Sequence, residues 1–177
     1  MFKHDELLLG LRDQGLKFPV TDFSTRQIAV LGVDYKRKAT FEYDENGRKL
    51  FNYAFRIISD SENNIYVLDL INDGGHGRVV GFGYERKKKF VYNGYSILNT
   101  PDTPFFPGDI AITPKNILLI TDIYNHAMHA INANGEMLDY KVQKILEYVF
   151  HVVYHLILKG FLLIGSEPDE EETKSTS

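Results

Sequence analysis

Residues 56–69 read RIISDSENNIYVLD and residues 109–122 read DIAITPKNILLITD. Each stretch holds an apolar strand-like run, a polar turn containing Asn, a second apolar run and a closing acid, Asp69 or Asp122. A loop of Gly, Asn and His follows each Asp, at 72–77 or 124–126. A third apolar run comes next, GRVVGFG from Gly77 or AMHAINA from Ala127. After a polar or charged turn a fourth run closes the unit, KKFVYNG from Lys88 or EMLDYKV from Glu136. Ile, Val, Leu, Tyr and Phe fill the runs and Asn, Asp, Gly and Lys fill the turns, the composition of strands and hairpins.

Working outward, weaker copies stand at both ends. LLLGL at Leu7–Leu11 matches the second run of the unit, QIAVLG at Gln27–Gly32 the third and ATFEY at Ala39–Tyr43 the fourth. HLILKGFLLIGS at His155–Ser166 matches the first two. Four short strands repeating at about 45 to 50 residues make a β-propeller blade. A small sheet with apolar residues on both faces must stack on a neighbour to bury them.

The predicted fold is therefore all-β, an open partial propeller of four-stranded antiparallel blades, about three blades plus part of a fourth. The units fall at 1–53 (incomplete first blade), 54–107 (second blade and connecting loop), 108–143 (third) and 144–166 (half of a fourth). The acidic stretch 167–177 is expected to be disordered. Only Val142–His151 reads as a helical alternative. Six blades need roughly 270 residues, so free apolar edges are expected at Leu7–Leu11 and Phe161–Gly165, with self-association as the consequence.

The chain has 177 residues, 44% hydrophobic and 25% charged, which is the composition of a globular protein. A formal net charge of -4 gives no global attraction to nucleic acid or anionic membrane, so such contacts require a local patch. Without cysteine there is no disulfide framework, thiolate metal site or sulfur nucleophile. The apolar stretch Tyr148–Gly165 approaches the length of a membrane span. It contains His151, His155 and Lys159-Gly160, however, and reads as two strands and a turn, so no membrane contact is expected. With an acidic, short-run start at Met1–Arg12, the expected location is cytoplasmic.

Candidate chemistry is sparse. Asp69, Asp122, Asn125 and His126 stand at the ends of second strands and in the loops beyond. Such carboxylates can bind calcium, but recurrence once per unit favours acceptance of backbone N–H groups in a tight loop. No metal and no cofactor is expected; His126 and His129, three apart in a strand, would point to opposite faces. No nucleophile elbow, P-loop or dinucleotide fingerprint occurs. Two basic runs, Lys36-Arg37-Lys38 and Arg86-Lys87-Lys88-Lys89, fall in equivalent third-to-fourth-strand turns. They would form one patch able to meet phosphates or an acidic partner, or else serve as solvated edge cations. In the long loop 93–108, Tyr95, Phe105 and Phe106 are candidates to stack bases, to anchor a peptide or to pack between blades.

Taken in order, LRDQG from Leu11, DFSTRQIAVLG from Asp22, GRKLF from Gly47, RIISDSENNIYVLD, GRVV, DIAITP, LLITD and NHAMHAIN resemble NHL repeats. These are the blades of the C-terminal propeller in tripartite-motif proteins, and the similarity runs from about Leu7 to Ser166. It is closest to the expanded invertebrate, especially molluscan, group. The resemblance implies a six-bladed propeller that binds RNA or protein behind a RING, B-boxes and a coiled coil, with RNA read on the face opposite the basic turns. Without cysteines and with half a propeller, the chain is expected to be a fragment lacking the RING and B-boxes. Ubiquitin-ligase activity does not carry over, and a non-catalytic interaction module for protein or RNA is expected. The alternative is a calcium-dependent propeller hydrolase of lactonase type.

Overall fold

The computed structural model describes residues 6–142, 150–157 and 161–168. Thirteen strands occur among them and no helix. The first sheet, in order β1-β2-β3, holds β1 (Leu7–Arg12), β2 (Arg26–Leu31) and β3 (Arg37–Phe41). The second is the meander β4 (Tyr53–Ser59), β5 (Ile65–Leu70), β6 (Gly77–Phe82), β7 (Lys88–Tyr92). The third is the meander β8 (Pro107–Ile112), β9 (Leu118–Asp122), β10 (Ala127–Ile131), β11 (Met137–Val142). A two-stranded sheet follows, β12 (Phe150–Ile157) and β13 (Phe161–Pro168). All pairings are antiparallel.

The repeat holds at the level of single hydrogen bonds. Each third-to-fourth-strand pair carries an irregularity at one place, between Val30/Leu31, Gly81/Phe82 and Ala130/Ile131. Four residues after each irregularity comes a left-handed residue, Tyr35 (φ 57°), Arg86 (φ 64°) or Gly135 (φ 83°). Its N–H donates to the carbonyl of Gly32, Gly83 or Asn132 and closes the turn. First-to-second-strand turns use Asn63 (φ 64°) and Asn116 (φ 58°) in the same way, because Asn tolerates this region best among residues with a Cβ.

Two apolar clusters bind the sheets face to face. Ile28, Val30, Phe41 and Phe51 pack on Ile65, Val67, Val80 and Phe82, joining the first sheet to the second. Tyr66, Leu68 and Val79 pack with Tyr92, Phe105, Ile110, Leu118, Ile120 and Ile131, joining the second to the third. Alternate residues of β5 thus serve opposite clusters, which follows from the two-residue period of a strand and explains why all six of its residues are buried.

Several boundaries differ from the sequence reading. Phe150 and His151, part of the helical alternative, lie in β12, whereas 143–149 lies outside the described residues. β13 continues to Pro168, two residues into the stretch read as a tail; 169–177 and the Lys159-Gly160 turn also lie outside the described residues. No helix among the described residues is long and apolar enough to cross a membrane.

Candidate binding faces

Antiparallel meanders put alternate loops on opposite faces. Loops 13–25, 42–52, 71–76, 93–106 and 123–126 share one face and are stitched together. Lys49 Nζ donates to the Ser24 carbonyl (2.7 Å), Arg78 Nη2 to the Leu50 carbonyl (3.0 Å) and the Tyr124 hydroxyl to the Gly74 carbonyl (2.7 Å). The remaining turns occupy the other face.

On the stitched face, Asp69 and Asp122 are fully buried. Asp69 Oδ1 accepts from the backbone N–H groups of Asn52 (2.8 Å) and Tyr53 (2.7 Å), and Oδ2 pairs with Arg78 Nη2 (2.8 Å). Burial pushes the Asp69 carboxyl up, opposed by Arg78 and the two N–H groups. Asp122 accepts from Phe106 N–H (3.2 Å), Asn99 Nδ2 (2.7 Å) and Asn125 Nδ2 (2.9 Å). The backbone donors come from the segment entering the preceding first strand, which corrects the expectation of donors in the tight loop after the Asp. The acid thus clamps one sheet to its incoming linker, and its oxygens are committed to internal donors. Among the described residues no three His, Asp or Glu side chains come together as a metal site.

The other candidates separate. Phe105 is buried in the core against Tyr92 and His129, so of its alternatives it takes packing between blades and is not available to stack a base or anchor a peptide. Adjacent Phe106 turns outward, half-buried, and meets the exposed Tyr124 edge-on at 5.0 Å between ring centroids. Tyr95 is half-buried against Tyr140 at 5.4 Å. His126 is exposed in its turn with φ 46°, and not within a strand. His129 is buried in β10, its Nδ1 2.6 Å from the Tyr92 hydroxyl and its Nε2 3.3 Å from Asp122 Oδ2. The sequence reading missed this array, which joins residues of two sheets. Exposed Leu16, Phe23, Tyr43 and Ile97 lie on the same face; Phe23 is 97% exposed. Carboxylates Asp22, Asp44, Glu45, Asp73 and Asp102 outnumber Lys17, Arg48 and Lys49 in its loops.

On the opposite face the two basic runs meet, with two differences from expectation. Arg37 and Lys38 belong to β3, and Lys88 and Lys89 to β7, so only Lys36, Arg86 and Lys87 stand in turns. Four of the seven cations also have a carboxylate partner, though they share only three carboxylates. Arg86 Nη2 contacts both oxygens of Glu6 at 3.1 Å, and Lys38 Nζ reaches the same carboxylate at 3.6 Å. Lys36 pairs with Asp34 (3.6 Å) and Lys87 with Glu85 (3.5 Å). Arg37, Lys88 and Lys89 are exposed.

The stacked four-stranded meanders define the chain as part of a β-propeller, an open arc among the described residues. Comparison with solved structures agrees. The chain is similar to a catalytically inactive histidine-to-alanine variant of virginiamycin B lyase from Staphylococcus aureus, solved with quinupristin, at TM-score 0.50 and 12% identity. The match covers 93% of this chain and 57% of that one, so this chain spans little more than half the length of the propeller it resembles. No family model and no curated protein matches.

Proposed function

We propose that the chain is a non-catalytic β-propeller interaction module that takes a protein ligand on the stitched loop face. The observation that carries the reading is the set of outward aromatic and aliphatic side chains there, Phe23, Tyr43, Phe106 and Tyr124 among them, above clamped loops. Apolar anchors on a rigid rim are the usual source of affinity for a peptide or protein surface. The excess of carboxylates in these loops disfavours a polyanion on this face, and on the other face Glu6 draws Arg86 and Lys38 into a shared ion pair. RNA is thus the weaker of the two ligands that the resemblance to NHL repeats suggests. That resemblance supports a module carried by a tripartite-motif-like protein.

Selection of a displayed random-peptide library on the chain tests this. Enriched peptides should lose at least tenfold in affinity on Phe106→Ala with Tyr124→Ala, with thermal melting nearly unchanged. If no peptide is enriched while mixed-sequence single-stranded RNA binds and loses affinity on Tyr95→Ala or Phe106→Ala, the ligand is RNA and the protein reading is wrong.

A further inference from the structure

β5 and β9 are second strands, each flanked by a first strand, β4 or β8. β1 holds the equivalent position in the first sheet. Leu31, Phe82 and Ile131 occupy the same irregularity, and their partners on the second strand are Leu7, Ile65 and Leu118. Among the described residues, however, nothing pairs with the outer edge of β1. Leu7 and Leu9 are exposed, whereas every residue of β5 is buried. The register also places Leu11 where the other sheets have Asp69 and Asp122. The acid that clamps an incoming linker is therefore missing from the one sheet without a first strand. A groove of about 220 Å³ lies between β1 and β4, lined in part by Gly10, Leu11, Arg12, Tyr53 and Phe55.

We propose that the free edge of β1 accepts an extended segment, antiparallel, as the fourth strand of the first sheet. The occupant is a peptide strand with alternating apolar residues and a carboxylate near its start. The existing first strands supply this chemistry. β4 and β8 both enter with a bulge, between Ala54/Arg56 and between Pro107/Ile110. There Arg56 of β4 meets Asp109 of β8 at 3.3 Å. A strand added beside β4 would bring its own residue at this position toward Arg56, near Arg12 at the end of β1. An acid there is attracted and a base repelled. Main-chain pairing gives the affinity, as in other strand additions to exposed edges.

The probe is the peptide FPGDIAIT, the sequence of residues 106–113, titrated into the full chain with amide exchange read over Leu7–Arg12. Saturable binding that slows exchange in β1 is expected, weakened at least tenfold for the same peptide with Asp109→Lys and for the chain variant Leu9→Lys. The melting midpoint of Leu9→Lys confirms that it folds. Equal binding of the Asp109→Lys peptide, or saturation without slowed exchange in β1, would overturn the proposal. So would concentration-dependent protection of β1 without peptide, which would make a second copy of the chain the occupant. Loss of the loop-face ligand on Phe106→Ala leaves this readout untouched, so the two readings fail separately.

Discussion

The hydroxyl of Tyr92, on the last strand of the second sheet, lies 2.6 Å from Nδ1 of His129 in the middle of the third, and both side chains are buried. Asp122 Oδ2 stands 3.3 Å from Nε2 on the far side of the imidazole without hydrogen-bond geometry, so among the described residues the Tyr92 bond is the imidazole's one hydrogen bond in an otherwise apolar interface. Tyr92→Phe keeps the ring packing on Phe105 and deletes only the hydroxyl, leaving Nδ1 without its partner. The expected cost is about 1–3 kcal/mol, read as a lower urea midpoint at unchanged slope. A loss below about 0.3 kcal/mol would show that the bond is not formed in solution.

Alkaline pH should weaken the protein through its tyrosines. Burial first, and then nearby Asp60 for Tyr66 and Asp122 for Tyr92, hold both phenols above their ordinary value. A group raised on folding gives stability that is present below the unfolded value and lost as pH rises through the folded one. The contribution is thus intact below a pH of about 10 and declines above it. Urea midpoints followed upward from pH 8 should fall beyond that point, and less steeply for the variant carrying both Tyr66→Phe and Tyr92→Phe.

Asp69→Ala should be among the most damaging single changes. It strands two backbone N–H groups and the half-buried Arg78 guanidinium at once. Breaking a buried pair on one side costs about 3–5 kcal/mol. Asp69→Asn, which keeps an acceptor for Asn52 and Tyr53, should lose less. If the two variants unfold at the same denaturant concentration, the linker bonds contribute nothing.

Tyr35→Gly should raise stability. Tyr35 holds a left-handed φ of 57° with 76% of its surface exposed, and Gly135 fills the equivalent turn of the third sheet. Relief of a left-handed penalty of about 1–2 kcal/mol outweighs the added freedom of glycine in the unfolded chain, about 1 kcal/mol. A higher melting temperature is expected, and a lower one would place Tyr35 in a contact that matters.

The repeat of strands was legible because alternation and turn chemistry are local. RIISDSENNIYVLD and DIAITPKNILLITD carry their own pairing, down to the left-handed Asn63 and Asn116. What links one sheet to the next was not. Phe105 and Phe106 are adjacent and chemically identical, yet one faces the core and the other solvent. Only the path of the loop beneath Asp122 decides which. The basic runs were visible as charge, but the pairing of Arg86 with Glu6 is a contact across 80 residues, outside any local pattern.

The two apolar clusters give the arc an unequal mechanical design. Among the described residues the second sheet lends one face to each, while the first and third each enter one of the two. Peeling away the first sheet opens a single seam; melting the second opens both and leaves its neighbours without each other. Across the first three sheets slow amide exchange should therefore be graded, deepest in β5 and β6 and shallower on either side, as in linked plates where the one with two seams sets the yield point.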